Sequence, residues 1–537
     1  MAYLIHQIIA AQARLKPGAI AIRVKQDSLS YQALQNQIEK MHLVLGQLGL
    51  DRHERVGVYL AKGIEAVVSM FAVSQTGGVF VPINPLLKAS QVEHIATDCR
   101  IKILITNSAR FKALAPVLTK LIDLHTVILT DSENVEHIDN VSEQVNLLAW
   151  RQLQKADYPQ PLPLNSKSIS TDMAAIFYTS GSTGKPKGVV LSHLNLLTGA
   201  RSVASYLANT ADDKILALLP LSFDYGFSQL TTALLVGAEV VLHDYFLAQD
   251  VLRAIEKYQI TGLAGVPPLW SQLCKLNWQN KGKSIRYFTN SGGALNQNLL
   301  KTLRENMKNA QPFLMYGLTE AFRSTFLDPE RIDRKPTSMG QAIPNAEIII
   351  VRSNGSECEI GEVGELVHIG PLVAQGYWNA PEQTALHFKP VPNKPAGIVS
   401  EQMAVFSGDM VKRDVDGDLF FIGRSDEMIK SSGYRISPME IEECFYQHPK
   451  TIDAVALGVS HPELGQAILV VVAMQEVKDN TAALQAELRG HCHTQLANFM
   501  QPTEIIILSQ LPKNTNGKLD RALLAHNYAN FFRGNNE

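Results

Sequence analysis

Met173-Ala-Ala-Ile-Phe-Tyr-Thr179 runs without a break into Ser180-Gly-Ser-Thr-Gly-Lys-Pro-Lys-Gly188. A short apolar run bounded by turn residues reads as a buried strand, here delivering the chain into a glycine-rich loop. Glycines let successive backbone N–H groups turn inward, and the loop's hydroxyls and lysines add side-chain donors, which is the chemistry of a polyphosphate cradle. A flexible surface loop has a similar composition. The two lysines, the stiffening Pro186 and direct attachment to a strand favour the cradle. It is not a Walker A loop, because Gly184-Lys185 is followed by Pro186 instead of Ser or Thr. Gly282-Lys283-Ser284 fails as well, since Asn277 stands where that motif needs its first glycine.

Outward from this loop, helical and strand patterns alternate: helices over Tyr31–Leu48 and Gly63–Thr76, strands over Arg55–Leu60, Lys102–Thr106 and Thr126–Thr130. Strands separated by helices of this length predict crossover units on a mainly parallel sheet, an α/β architecture. After Pro344 the runs become shorter and β-like (Glu347–Val351, Gly364–Ile369, Leu419–Ile422), predicting a β-rich subdomain. Beyond Gly423-Arg424 a charged connector leads to a further α+β unit. The expected division is a large N-terminal nucleotide-binding domain of stacked α/β subdomains plus a β-rich subdomain over 1–424, and a small mobile C-terminal domain over 425–537. The tail from about Asn527 reads as loosely ordered.

The chain has 537 residues, 46% hydrophobic and 19% charged, enough for more than one packed unit and unlike a disordered protein. A formal net charge of -2 excludes a general attraction to nucleic acid or anionic lipid. The N-terminus lacks a secretory signal, and the longest apolar runs, such as Ile215–Leu221, are far too short to span a bilayer. Five scattered cysteines without a CxxC pair fit a reducing cytoplasm. His491-Cys492-His493 lacks a second ligand cluster and carries no metal reading.

The loop is followed and preceded by further motifs in a set order. They are Gly77-Gly-Val-Phe-Val-Pro82, Ser291-Gly-Gly-Ala294, Tyr316-Gly-Leu-Thr-Glu320, Gly361-Glu-Val-Gly-Glu365, Gly376-Tyr-Trp-Asn379, Ser407-Gly-Asp409, Gly423-Arg-Ser-Asp426, Lys430-Ser-Ser-Gly-Tyr-Arg435 and Leu511-Pro-Lys-Asn-Thr-Asn-Gly-Lys518. Across nearly its whole length the sequence resembles the AMP-forming adenylating superfamily: acyl-CoA synthetases, amino-acid adenylation domains and luciferase. Tyr316 to Glu347, with Ala-Phe-Arg-Ser-Thr after Glu320, looks especially like the acyl-CoA ligases associated with exosortase A systems.

The resemblance implies ATP-dependent activation of a carboxylic acid to an acyl-adenylate, then transfer to coenzyme A or a phosphopantetheine carrier. Thr179, Ser180, Gly181, Ser182, Thr183, Gly184 and Lys187 would wrap the β- and γ-phosphates. Adenine would lie between Gly292-Gly293-Ala294 and the Tyr316-Gly317 segment. Thr319 would bond the α-phosphate, Glu320 would hold Mg²⁺, and Asp409, assisted by Arg424, would accept from the ribose hydroxyls. Lys518 would bridge the carboxylate and the ribose-phosphate oxygens. By itself a lysine near a C-terminus reads as a solvated surface group. Asp426 matches the hinge, and Lys430 and Gly433 the face that meets the pantetheine thiol.

The acid is left open. Pro220-Leu-Ser-Phe-Asp-Tyr-Gly226 places Phe223 where many acyl-CoA synthetases have an aromatic residue, while Phe223-Asp224 resembles the pair by which amino-acid adenylation domains grip an α-ammonium group. Arg323 falls where those domains line the side-chain pocket and could pair with Asp224 or with a substrate anion. The partners implied are a small carboxylic or amino acid and an acyl carrier protein, with no nucleic acid and no stable membrane insertion. A nucleotide-binding scaffold without catalysis and an adenylate-forming enzyme that makes no thioester are the competing functions.

Overall fold

The computed structural model describes residues 2–133, 145–156, 168–179, 186–279, 281–392, 397–425, 427–431, 434–461, 464–475, 481–496, 498–514 and 517–532. Among them the N-terminal part contains two large sheets. One has seven strands: Arg55–Tyr59, Val79–Pro82, Ile103–Thr106, Thr126–Leu129, Asn146–Ala149 and Met173–Thr179 run parallel, and Lys187–Ser192 closes the edge antiparallel. The other has nine strands, with Lys214–Ala217, Gly262–Gly265, Tyr287–Asn290 and Gln311–Tyr316 parallel at its centre. The α/β expectation is met, and the crossover helices Tyr31–Gln47 and Ile64–Thr76 fall within a residue of their predicted limits.

The sheets share one apolar core. Phe80 and Phe177 of the seven-stranded sheet meet Phe227, on the helix Asp224–Val236 beside the other sheet, with ring centroids 5.3 and 5.5 Å away. All three rings are buried, each contributing about 1.5–3 kcal/mol through the water it sheds. That packing locks the helix whose first residue is Asp224.

Glu347–Val351, Val363–Ile369, Phe388–Pro390, Met403–Arg413 and Leu419–Arg424 form the antiparallel β-rich sheet predicted after Pro344. A fourth sheet follows, from Ile429–Ser431, Tyr434–Ile436, Thr451–His461, Gly465–Met474 and Glu504–Leu508, with helices Pro438–Gln447 and Thr481–Gln495 against it. In the stretch after Asn527, Tyr528 and Phe532 are partly buried against an apolar cluster around Leu469, Val471 and Leu524, as apolar rings shed water on contact, and residues 533–537 of the expected loose tail lie outside the described residues. No helix among the described residues is long and apolar enough to cross a membrane.

Candidate active site

Thr179 pairs across the hairpin with Lys187, so both ends of the glycine-rich loop are held by backbone ladder bonds. Ser180, Gly181, Ser182, Thr183 and Gly184 lie outside the described residues. The far end is braced by the Pro186 carbonyl, 3.1 Å from His94 Nε2. Tyr377 bridges to Val189, and Trp378 N donates to the Gly188 carbonyl at 2.7 Å, which pins Gly376–Asn379 beside the loop. Lys187 Nζ then stands 5.6 Å from the Tyr377 ring centroid, and the Tyr377 hydroxyl donates to Glu320 Oε1 at 2.6 Å. Burial, reinforced by the Glu320 charge, pushes the Tyr377 phenol above its ordinary pKa and keeps it a donor.

The second wall is built from strand ends of the nine-stranded sheet. After Tyr287–Asn290 the chain turns at Gly292, whose φ of +78° suits glycine. Asn290 Nδ2 holds the turn through the Gly293 carbonyl at 2.9 Å, and Gly293 and Ala294 are exposed. Tyr316 ends the next strand. Its hydroxyl donates to Asp409 Oδ2, while Arg424 Nη1 donates to Asp409 Oδ1 at 2.9 Å and to the Ser407 carbonyl at 3.0 Å. Burial, with Asp409 adding to it, raises the Tyr316 pKa far above that of a free phenol. Each Asp409 oxygen has a second lone pair, so the carboxylate can accept from further hydroxyls.

Thr319 and Glu320 sit on a single 3₁₀ turn, Thr319–Ala321, closed by Phe322 at φ +54°. A left-handed phenylalanine costs about 1–3 kcal/mol, the kind of strain that collects at functional sites. Here it turns Arg323 inward. Gly317 lies so close beneath that a Cβ would stand 3.1 Å from Arg323 Cα. Arg323 Nη1 donates to Asp224 Oδ2 at 3.2 Å, with side chains only 3% and 6% exposed. Of the two partners read for Arg323, the structure supplies Asp224.

Lys518 comes from the C-terminal unit, on a turn closed by Asn514 N donating to the Lys518 carbonyl at 2.8 Å. It crosses to the large cleft: Nζ is 6.0 Å from the Phe223 ring centroid, and a Cβ on Gly292 would meet Lys518 Cε at 3.4 Å. Burial lowers its pKa below the ordinary lysine value, opposed by the Asp224 charge. The lysine is therefore no solvated surface group. Lys430 lies in the strand Ile429–Ser431, whereas Asp426 and Gly433 lie outside the described residues. Thr179, Lys187, Gly292, Tyr316, Thr319, Glu320, Phe223, Asp224, Asp409 and Lys518 thus converge on one cleft from strands, turns and a helix start distant in sequence. Nothing local in Gly376–Asn379 marks Tyr377 as the support of Glu320, and the strain at Phe322 leaves no mark in composition.

Glu320 offers carboxylate oxygen, one atom of it already held by the Tyr377 phenol, and oxygen is the ligand that suits a hard divalent cation such as Mg²⁺. Gly293 and Ala294 follow one strand of the sheet, and Tyr316 ends the strand paired beside it.

The cleft lies between a large α/β part and a small C-terminal unit. The chain belongs to the AMP-binding enzyme family: the AMP-binding enzyme model matches residues 9–378, and its C-terminal-domain model matches 440–518. It is similar, at 29% identity over 532 residues, to the L-proline–[L-prolyl-carrier protein] ligase of Pseudomonas fluorescens, covering 97% of this chain and 99% of that one. Gramicidin S synthase 2 of Aneurinibacillus migulanus matches at 29% over 525 residues, 97% of this chain, but the chain spans only 11% of that protein's length. Among solved structures, o-succinylbenzoate coenzyme A synthetase from Bacillus subtilis, bound to ATP and a magnesium ion, superposes with a TM-score of 0.80 at 25% identity, covering 96% and 98% of the two chains.

Proposed function

We propose that this protein activates a carboxylic acid at the expense of ATP and then transfers the acyl group to the thiol of coenzyme A or a phosphopantetheine carrier. In the first step a carboxylate oxygen attacks the α-phosphorus, the bond from that phosphorus to the bridging oxygen breaks, and pyrophosphate leaves with the electron pair. Lys518 and Thr319 donate to the oxygens that gain charge, and preorganised donors of this kind supply much of the acceleration. Thr179, Ser180 to Gly184 and Lys187 cradle the β- and γ-phosphates. Gly292 to Ala294 and Tyr316-Gly317 frame the adenine, and Asp409, oriented by Tyr316 and Arg424, takes the ribose hydroxyls. Glu320, oriented by Tyr377, holds Mg²⁺, which when bound offsets phosphate charge.

In the second step the thiolate sulfur attacks the acyl carbonyl and AMP leaves. The unit 425–537 swings about Asp426 so that Lys430 and Gly433 replace Lys518 at the cleft. The observation that carries the first step is the reach of Lys518, across from the C-terminal unit, to Gly292 and Phe223. A scaffold that never reacts has no use for a half-buried lysine held there against desolvation.

Two acceptors fit. The likeness to carrier-protein ligases favours a carrier, and the narrower likeness to exosortase-associated ligases favours coenzyme A. Five unpaired cysteines and the absence of a long apolar helix among the described residues support a cytoplasmic setting. The test is pyrophosphate release across a panel of acids and amino acids, with and without coenzyme A. Release with none of them removes the ligase reading; release unaffected by any thiol removes the second step.

A further inference from the structure

Helix Asp224–Val236 and Arg323 close a small cavity behind the cleft, about 20 Å³, lined also by Tyr225, Tyr287, Thr289 and Met315. Several polar atoms facing it are buried without a partner: Arg323 Nε and Nη2, both amide atoms of Gln229, and Thr232 Oγ1. Arg323, Gln229 and Thr232 are 2%, 7% and 4% exposed. Nε–H and Nη2–H form the side-on fork of a guanidinium, the edge that receives oxygen in two parallel hydrogen bonds. Buried donors left unmade cost about 1–3 kcal/mol each, so a fork, an amide and a hydroxyl gathered at one cavity mark a place for an oxygen-bearing group.

Charge narrows the group further. Asp224 is shared by Arg323 at 3.2 Å and by Lys518, which feels its field. Two cations and one carboxylate leave a single positive charge, and the carboxylate of an incoming acid cancels it. An α-ammonium would restore a buried positive charge beside an aspartate that Arg323 already engages. A second carboxylate would leave a buried negative one. Each costs desolvation without a partner.

Resting on the ligase reading above, we infer that the substrate is a compact monoacid without an α-ammonium group, carrying a neutral hydroxyl or carbonyl oxygen at its far end. That oxygen is received by the Arg323 fork with Gln229 and Thr232. The pocket therefore departs from the amino acid that the names of its relatives suggest.

Two matched sets test it, one ringed and one linear: para-hydroxyphenylacetate, para-methylphenylacetate and para-hydroxyphenylglycine, then δ-hydroxyvalerate, hexanoate and δ-hydroxynorvaline. Binding is read by calorimetry with ATP present and turnover by pyrophosphate release. In at least one set the hydroxy acid exceeds both its methyl and its amino counterpart by about tenfold or more, the scale of one hydrogen bond to a charged donor. Gln229→Leu reverses the hydroxy-to-methyl preference while thermal unfolding stays cooperative. Arg323→Met, if it folds, frees Asp224 and raises the amino acid relative to the hydroxy acid. Equal use of all three members in both sets, binding of none, or a wild-type preference for the amino or methyl member overturns the inference, and a cavity that stores only water gives the first of these. Selective binding of the hydroxy acid without pyrophosphate release supports the pocket assignment and removes the ligase reading instead.

Discussion

Lys518 Nζ stands 6.0 Å from the centroid of the Phe223 ring, joining a C-terminal turn to the N-terminus of the helix that carries Asp224. That reach makes the lysine separable in function from the rest of the C-terminal unit. Lys518→Ala should lower acid-dependent ATP–pyrophosphate exchange by about 10²–10³-fold, the loss typical of one preorganised donor. Thioester formation from preformed acyl-adenylate should survive within a few-fold. Equal loss of both half-reactions would count against its assignment to the first alone.

The same residue sets an alkaline limit. Burial lowers the Lys518 pKa, so the charged amine persists below that pKa and is lost as pH rises through it. Adenylation should fall on the alkaline side before the ordinary lysine range is reached, and Lys518→Arg should carry its residual rate to higher pH because a guanidinium keeps its proton. A pH profile of kcat/KM unchanged by the arginine would assign the limb to another group.

Tyr377 orients Glu320 through one hydrogen bond at 2.6 Å. Tyr377→Phe keeps the ring beneath Lys187 and deletes only the hydroxyl. The Mg²⁺ concentration for half-maximal pyrophosphate release should rise about 10- to 100-fold, as when the support of a metal ligand is removed. An unaltered magnesium titration would make Tyr377 a packing residue only.

The Asp224–Arg323 pair is buried, so removing one member strands the other. Asp224→Ala should destabilise the large domain by about 3–5 kcal/mol, and replacing both, as Asp224→Ala with Arg323→Met, should recover much of it. Thermal unfolding of the single and double variants decides this; an additive double variant would mean the two side chains do not act as a pair.

Glycine at position 292 combines a φ of +78° with the approach of Lys518. Gly292→Ala should raise the KM for ATP and reduce exchange through strain of about 1–2 kcal/mol at that backbone. Unchanged ATP kinetics would place the turn away from the nucleotide.

Most elements were legible because apolar periodicity and glycine punctuation act locally. Met173–Thr179 and Glu347–Val351 have the predicted limits, and the first of them ends where the glycine-rich segment begins. The ordered motifs also named Glu320, Asp409 and Lys518, since anion and nucleotide chemistry restricts which residue types can stand at a given point. The pairing of Arg323 with Asp224 was legible as one of two alternatives, but most partners were not. Which alternative Arg323 takes, that Tyr377 holds Glu320, and that Gln229 and Thr232 turn unpaired atoms toward one cavity depends on strand order, the strained turn at Phe322 and the packing of Phe227, all of which join residues far apart in the chain. The sequence by itself determined the α/β architecture and nominated the residues proposed to face the nucleotide, through local pattern and residue chemistry. Only the tertiary structure decided how charge is balanced around the acid, because the sign of a buried site is the sum of side chains that meet solely in the folded protein.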